Sequence, residues 1–247
     1  MSALHGMEMH GQRVLVVGVG GIGAPCAEIC AELGAGLVLA DREEPTGLAW
    51  KIRDKYSVPT EAHRFDVADI RGVVHFCDLV GSIDALIITA GFLPKERDLA
   101  PGTDDWDQSF SDVFNVNVRG PMLLAQLFLK EMISKSSGRI VILGSIAGRS
   151  GGLLSGAQYA ASKGALHALV RWLALRAAPH GVTVNGVAPG ATATRMLATE
   201  TVDVRKIPSG RLAEPVEVAR VVSFLASPAA SYMHGAIVDV NGGAVFS

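Results

Sequence analysis

Tyr159 and Lys163 stand four positions apart in the run Tyr-Ala-Ala-Ser-Lys. On a helix, residues i and i+4 share one face. An ammonium about 5 Å from a phenol is worth roughly 3 kcal/mol at an effective dielectric near 20. That corresponds to a downward pull of roughly two units on a tyrosine pKa near 10. A tyrosine so placed is expected to serve as a general acid or base. The bland reading of the same five residues is an amphipathic helix with a solvated lysine.

A second group of residues suits a phosphate. Gly18-Val19-Gly20-Gly21-Ile22-Gly23 follows the G-x-G-x-x-G spacing. It comes after an apolar run and opens a helical pattern, so backbone N–H groups and a helix N-terminus would converge on a pyrophosphate. Asp41 ends the next apolar run, where a carboxylate accepts hydrogen bonds from ribose hydroxyls and repels a 2′-phosphate. Arg42 pulls the other way, because a basic neighbour can pair with that phosphate. Asp41, at the strand end, is expected to dominate, which selects NAD over NADP.

The elements that must carry these groups alternate. Short apolar runs at 13–17, 37–40, 63–67, 85–89, 139–143, 182–187 and 236–240 read as strands. Helical patterns fill 21–33, 45–55, 68–80, 103–134, 157–178 and 215–226, with a break expected near Gly120 and Pro121. Such alternation predicts a Rossmann-like α/β domain: a doubly wound parallel sheet of about seven strands with helices on both faces. Residues 1–247 are expected to form this one domain, with 1–11 as a flexible tail.

Composition narrows the function classes. Of 247 residues, 49% are hydrophobic and 19% charged, enough apolar material for a sizeable core. The net charge is −2 and the pI about 6.4, which argues against a nucleic-acid partner. Three cysteines do not suggest a disulfide framework, and their spacing suits buried core positions better than a metal site. Neither a signal peptide nor a membrane span is expected, so the cytoplasm is the default location. Glycine is in excess, at 28 residues, and much of that excess falls at the ends of the expected strands.

Tyr159-x-x-x-Lys163 resembles the active-site motif of the short-chain dehydrogenases/reductases. The resemblance runs through most of the chain. The run 139–148 looks like the family's strand ending in a catalytic serine, here Ser145. Asn115-Val-Asn117 looks like its central-helix asparagine motif, and Asp66-Val67 like its adenine-contacting pair. The run 185–194 looks like its nicotinamide-side turn, and Asn241-Gly242-Gly243 like its closing residues. The resemblance implies that Tyr159 exchanges a proton with the substrate oxygen. Lys163 would lower the tyrosine pKa and hold ribose hydroxyls, and Ser145 would bind the reacting oxygen. Asn117 would hold a water linking Lys163 to solvent. Ala90, Gly91, Pro189, Gly190, Thr192 and Thr194 would line the nucleotide, and no metal is implied. Family members are commonly tetramers, so a homotetramer acting on a small molecule is expected.

Three features depart from the family pattern. Val17 precedes Gly18 where the family usually has threonine, and the glycine spacing is one residue shorter. Thr89 replaces an asparagine, and its shorter reach is expected to loosen that strand end. The loop between Ser145 and Tyr159 includes Gly151 and Gly152, and reads as a tolerated length. The segment 191–207 is the expected lid; Leu153, Leu154, Phe92, Leu93 and Met196 suggest a partly apolar pocket. The leading expectation is NAD-dependent oxidation of a secondary alcohol, or the reverse reduction. The alternatives are an NADPH-dependent 3-oxoacyl thioester reductase and a non-catalytic cofactor sensor.

Overall fold

The computed structural model describes residues 5–96, 99–152, 155–198 and 200–246. Seven strands form one parallel sheet in the order β3-β2-β1-β4-β5-β6-β7. They are β1 (Arg13–Val17), β2 (Gly36–Asp41), β3 (Thr60–Arg64), β4 (Ala85–Ile88), β5 (Gly138–Leu143), β6 (Val182–Pro189) and β7 (Ile237–Val240). The chain order reverses between β1 and β4, where sheets of this kind open a crevice at their carboxyl ends.

Strand residues alternate between two cores. Leu15 and Val17 pack with α3 (Ile70–Val80), α5 (Gly120–Lys135) and α7 (Ala157–Ala177). Val14 and Val16 pack with α1 (Gly23–Glu32), α2 (Thr46–Tyr56) and α8 (Pro215–Ala226). Helices on both faces explain why the central strands are apolar throughout rather than alternating. Cys26 and Cys30 lie fully buried in the second core.

Three expectations need correction. The third strand is Thr60–Arg64, not 63–67. It is an outer strand with much of its surface in solvent, so its polar residues hide the strand and the apolar Phe65 and Val67 just beyond draw the eye. The helix expected to break near Gly120 does not break. Instead α4 (Asp104–Phe114) runs through one π-helical turn, Asn115–Arg119, into α5. Pro121 sits where the hydrogen-bond register returns to i→i+4, so its missing N–H interrupts little. Within the expected tail, residue 9 is anchored: Met9 is fully buried, and its N–H donates to the Leu33 carbonyl at 2.8 Å.

Candidate active site

The glycine turn joins β1 to α1. Gly18 has φ +88°, and a carbon added there would sit 2.5 Å from the Ala90 nitrogen. A carbon on Gly23 would overlap the Gly18 carbonyl oxygen. Both positions therefore exclude every other residue type. Ile22, at the start of α1, provides no side-chain cap, and the first turn of the helix carries no acidic residue. The N-terminal amides are left for an anion from outside the chain. Gly20 looks onto open space, and Gly21 faces the Thr194 methyl, so Thr194 reaches over the turn from the opposite strand end.

Asp41 stands at the end of β2, beside exposed Arg42. Its Oδ2 accepts the Val19 N–H at 2.8 Å, so the carboxylate also braces the glycine turn. Thr89 gives firmer support than its length suggested. Its Oγ1 donates to the Gly18 carbonyl and lies 3.2 Å from that of Val17, tying β4 to the turn. The expected loosening is absent, because the Gly18 carbonyl lies within the reach of the threonine hydroxyl.

On the other side of the crevice the structure brings Asn117, Ser145, Tyr159 and Lys163 together. Tyr159 is 9% exposed, with the Ser145 hydroxyl beside its phenol. The Ser145 Oγ accepts the Ala147 N–H at 3.1 Å at the start of the short α6 (Ala147–Ser150), which fixes its direction. Lys163 is 3% exposed; its Nζ donates to the Leu143 carbonyl at 3.1 Å and lies 5.6 Å from the centre of the Tyr159 ring. Burial pushes the Lys163 ammonium down to about 8. Burial also raises the Tyr159 phenol above its ordinary value, against a smaller lowering from Ser145. This corrects the expected electrostatic lowering by Lys163. The spacing brings the two groups together, but burial of the phenol, not the lysine charge, sets the direction of the shift.

The remaining expected nucleotide contacts line the same carboxyl edge of the sheet. Asp66 is exposed, with Oδ1 accepting the Ala68 N–H at 2.9 Å, and Val67 beside it is buried. Ala90 and Gly91 follow β4. Pro189 ends β6 and accepts the Ile146 N–H at 3.0 Å, and the Gly190 N–H donates to Val240 at 2.9 Å. Thr192 is buried and donates to the Gly190 carbonyl at 3.0 Å. Leu153 and Leu154 lie outside the described residues. The sequence reading missed Leu143, whose carbonyl holds Lys163, and His167, which packs against Gly144 one helical turn beyond Lys163. The i,i+4 spacing from Lys163 was the available signal for His167.

A glycine turn at an uncapped helix, a carboxylate at the second strand end, and half-buried Ser145 with buried Tyr159 and Lys163 thus share one crevice. A family model described as enoyl-(acyl carrier protein) reductase matches residues 18–245. The chain belongs to the short-chain dehydrogenase/reductase family. This oxidoreductase is 32% identical to the 3-oxoacyl-[acyl-carrier-protein] reductase FabG of Aquifex aeolicus, over 96% of this chain and 98% of that one. It is 36% identical to cis-4-hydroxycyclohexanecarboxylate dehydrogenase of Sinomonas cyclohexanicum, with the same coverage. A crystal structure from Beutenbergia cavernae, described as a candidate NAD(P)-dependent gluconate 5-dehydrogenase with NADP at low occupancy, superposes with a TM-score of 0.89. It is 31% identical, covering 97% of this chain and 98% of that one. Among the described residues of this dehydrogenase/reductase, no helix is long and apolar enough to cross a membrane, and no group of three His, Cys, Asp or Glu side chains could hold a metal ion.

Proposed function

We propose that the protein interconverts a secondary alcohol and its carbonyl compound with NAD(H). The observation that carries this reading is the buried Tyr159 phenol, with Ser145 beside it and the Lys163 ammonium over its ring, near the glycine turn. The bare backbone at Gly18 and Gly23 and the uncapped α1 fit a dinucleotide pyrophosphate. When bound, the nicotinamide supplies or accepts the hydride. Ser145 orients the reacting oxygen through its hydroxyl. Tyr159 gives that oxygen a proton in reduction and takes one in oxidation. Lys163 holds a positive charge beside the phenol and donates to ribose hydroxyls, and Asn117 with a bound water carries the proton onward. Because burial keeps the phenol protonated, the resting site is set for reduction at neutral pH, and oxidation gains from alkaline pH.

Asp41 supports NAD as the preferred cofactor, since a carboxylate at the end of β2 suits ribose hydroxyls and repels a 2′-phosphate. Phe92, Leu93 and Met196 give the pocket an apolar side, which suits a small or cyclic hydroxy compound. The Sinomonas relative, named for a hydroxycyclohexane substrate, supports that class. Exposed Phe110, Met122, Trp172 and Leu175 on α4, α5 and α7 support a homotetramer, which light scattering checks against four times 25.8 kDa. A cytoplasmic location fits this reading.

The test is hydride transfer with both cofactors across cyclic alcohols, hydroxy acids and 3-oxoacyl thioesters. Tyr159→Phe should lower turnover by about a thousandfold while NADH still binds by fluorescence titration. Turnover retained in that variant defeats the proton-transfer role. The FabG relatives favour a second reading, an NADPH-dependent 3-oxoacyl thioester reductase. It prevails if NADPH and the thioesters are strongly preferred and Asp41→Ala changes little.

A further inference from the structure

Ser162 lies between Tyr159 and Lys163, has no exposed surface, and plays no part in the chemistry above. Its hydroxyl donates to the Tyr159 carbonyl at 2.7 Å. It accepts from the Asn117 Nδ2 at 3.0 Å. Asn117, in the π-helical turn, is just as enclosed. Its Oδ1 takes the Phe92 N–H at 2.7 Å, and its Nδ2 also donates to the Phe92 carbonyl at 2.9 Å. Both amide hydrogens of Asn117 are therefore in use.

The clamped backbone is the loop that follows β4. Its Gly91 faces the reacting groups: a carbon added there would sit 3.4 Å from the Lys163 Nζ and 3.7 Å from the Asn117 Oδ1. Ser162 thus belongs to the helical turn that bears Tyr159 and Lys163, and through Asn117 it holds the backbone that faces the lysine ammonium. We infer that Ser162 is a positioning residue: it closes a buried amide clamp that fixes the 91–92 loop against the turn carrying Tyr159 and Lys163.

Without the hydroxyl, one Asn117 N–H is left unpaired in a closed space. The amide then gains freedom to turn, and the Phe92 backbone moves with it. Such a shift acts on the alignment of the reacting groups more than on affinity, because the glycine turn on the opposite side of the crevice holds the nucleotide.

The consequence for turnover rests on the proposed dehydrogenase reading, whereas the clamp is read directly by amide exchange. Ser162→Ala and Ser162→Thr are compared for kcat, KM, melting temperature and hydrogen exchange at the Phe92 amide. In the alanine variant kcat should fall about tenfold, KM for NADH and substrate should stay within about twofold, and Phe92 exchange should speed up about tenfold. Exchange in β1 should not change. Threonine keeps a hydroxyl able to bond back along the helix and should restore all values to within about threefold. If the extra methyl of threonine unfolds the chain, Phe92 exchange in the alanine variant decides alone. Unchanged Phe92 exchange in Ser162→Ala overturns the inference, and so does a loss spread evenly over the molecule with a lower melting temperature. If the wild-type protein turns over no alcohol or carbonyl with either cofactor, the proposed function fails, and faster Phe92 exchange still sustains the clamp.

Discussion

Between β1 and α1 the chain places four glycines in six residues, with one carboxylate, Asp41, bracing the turn. Between β5 and the middle of α7 it does the reverse, burying Tyr159, Ser162, Lys163 and His167 almost completely. The first region does its work with bare backbone, so its tolerances are steric. The second works with polar side chains held out of water, so its tolerances are electrostatic, and it carries a standing cost in stability. The two regions meet where Ala90 lies against Gly18 and where Thr89 reaches the turn.

The largest effect expected from this contrast is at Gly23. Its added carbon would overlap the Gly18 carbonyl and come within 2.5 Å of the Thr89 Oγ1. Gly23→Ala must therefore shift the turn, and NADH binding should weaken by at least about a hundredfold, or about 3 kcal/mol. Fluorescence titration reads it directly. Binding within about threefold of wild type would mean that the turn is not steric in the sense argued.

Lys163 should respond in the opposite sense. Its ammonium is pushed down to about 8 from an ordinary 10.5, so at pH 7 the folded protein carries a charge it would hold more easily unfolded. By linkage that costs about 3 kcal/mol, and the cost fades as pH rises through 8 toward 10.5, where the unfolded lysine also loses its proton. Lys163→Met removes the charge but orphans the Leu143 carbonyl, at about 1 kcal/mol. The variant should be inactive yet melt about 4 °C higher at pH 7. The gain should vanish near pH 10.5. An inactive variant that melts lower would show that the buried charge is better compensated than its surroundings suggest.

His167 extends the electrostatic half of the comparison. Burial first, then the nearby Arg149, Arg171 and Lys163, push its imidazole down to about 4, while Asp239 opposes them. Its Nε2 has no hydrogen-bond partner. Between pH 6.5 and 4 the unfolded chain takes up a proton that the folded one refuses, so stability falls with pH across that window by roughly 2 kcal/mol. Urea unfolding at pH 7 and pH 4.5 should show this loss, and His167→Gln should remove most of it. An equal loss in both proteins would assign the acid sensitivity to other groups.

How much of this was legible before folding follows the same division. The glycine turn is written in residue identity and spacing, because the positive φ of Gly18 and Gly21 and the contact of Gly23 with the Gly18 carbonyl are local, although Ala90 and Thr89 close on it from far along the chain. Tyr159 and Lys163 were legible as a pair through helical spacing, yet the direction of the tyrosine shift was not. That direction depends on burial beneath elements distant in sequence, and on a lysine that points to the Leu143 carbonyl. The clamp around Asn117 was equally hidden, since it needs Phe92 and Ser162, respectively 25 and 45 positions away. Thr89 looked too short only because the closeness of the turn is set by packing.

The smallest expected effect separates two kinds of steric constraint within one motif. Gly20 has nothing within 4 Å of the place a side-chain carbon would take, and its φ is not among the positive ones. Gly20→Ala should leave the protein itself unstrained, with melting within about 1 °C of wild type. In motifs of this spacing the second glycine lets the backbone approach the pyrophosphate. The same methyl should therefore obstruct the ligand and weaken NADH binding about tenfold, about 1.4 kcal/mol. Gly23 would then be required by the fold of the turn and Gly20 by what the turn holds. Unchanged affinity in Gly20→Ala would move the phosphate away from this residue, whereas a lower melting temperature would mean that Gly20 also serves the protein's own packing.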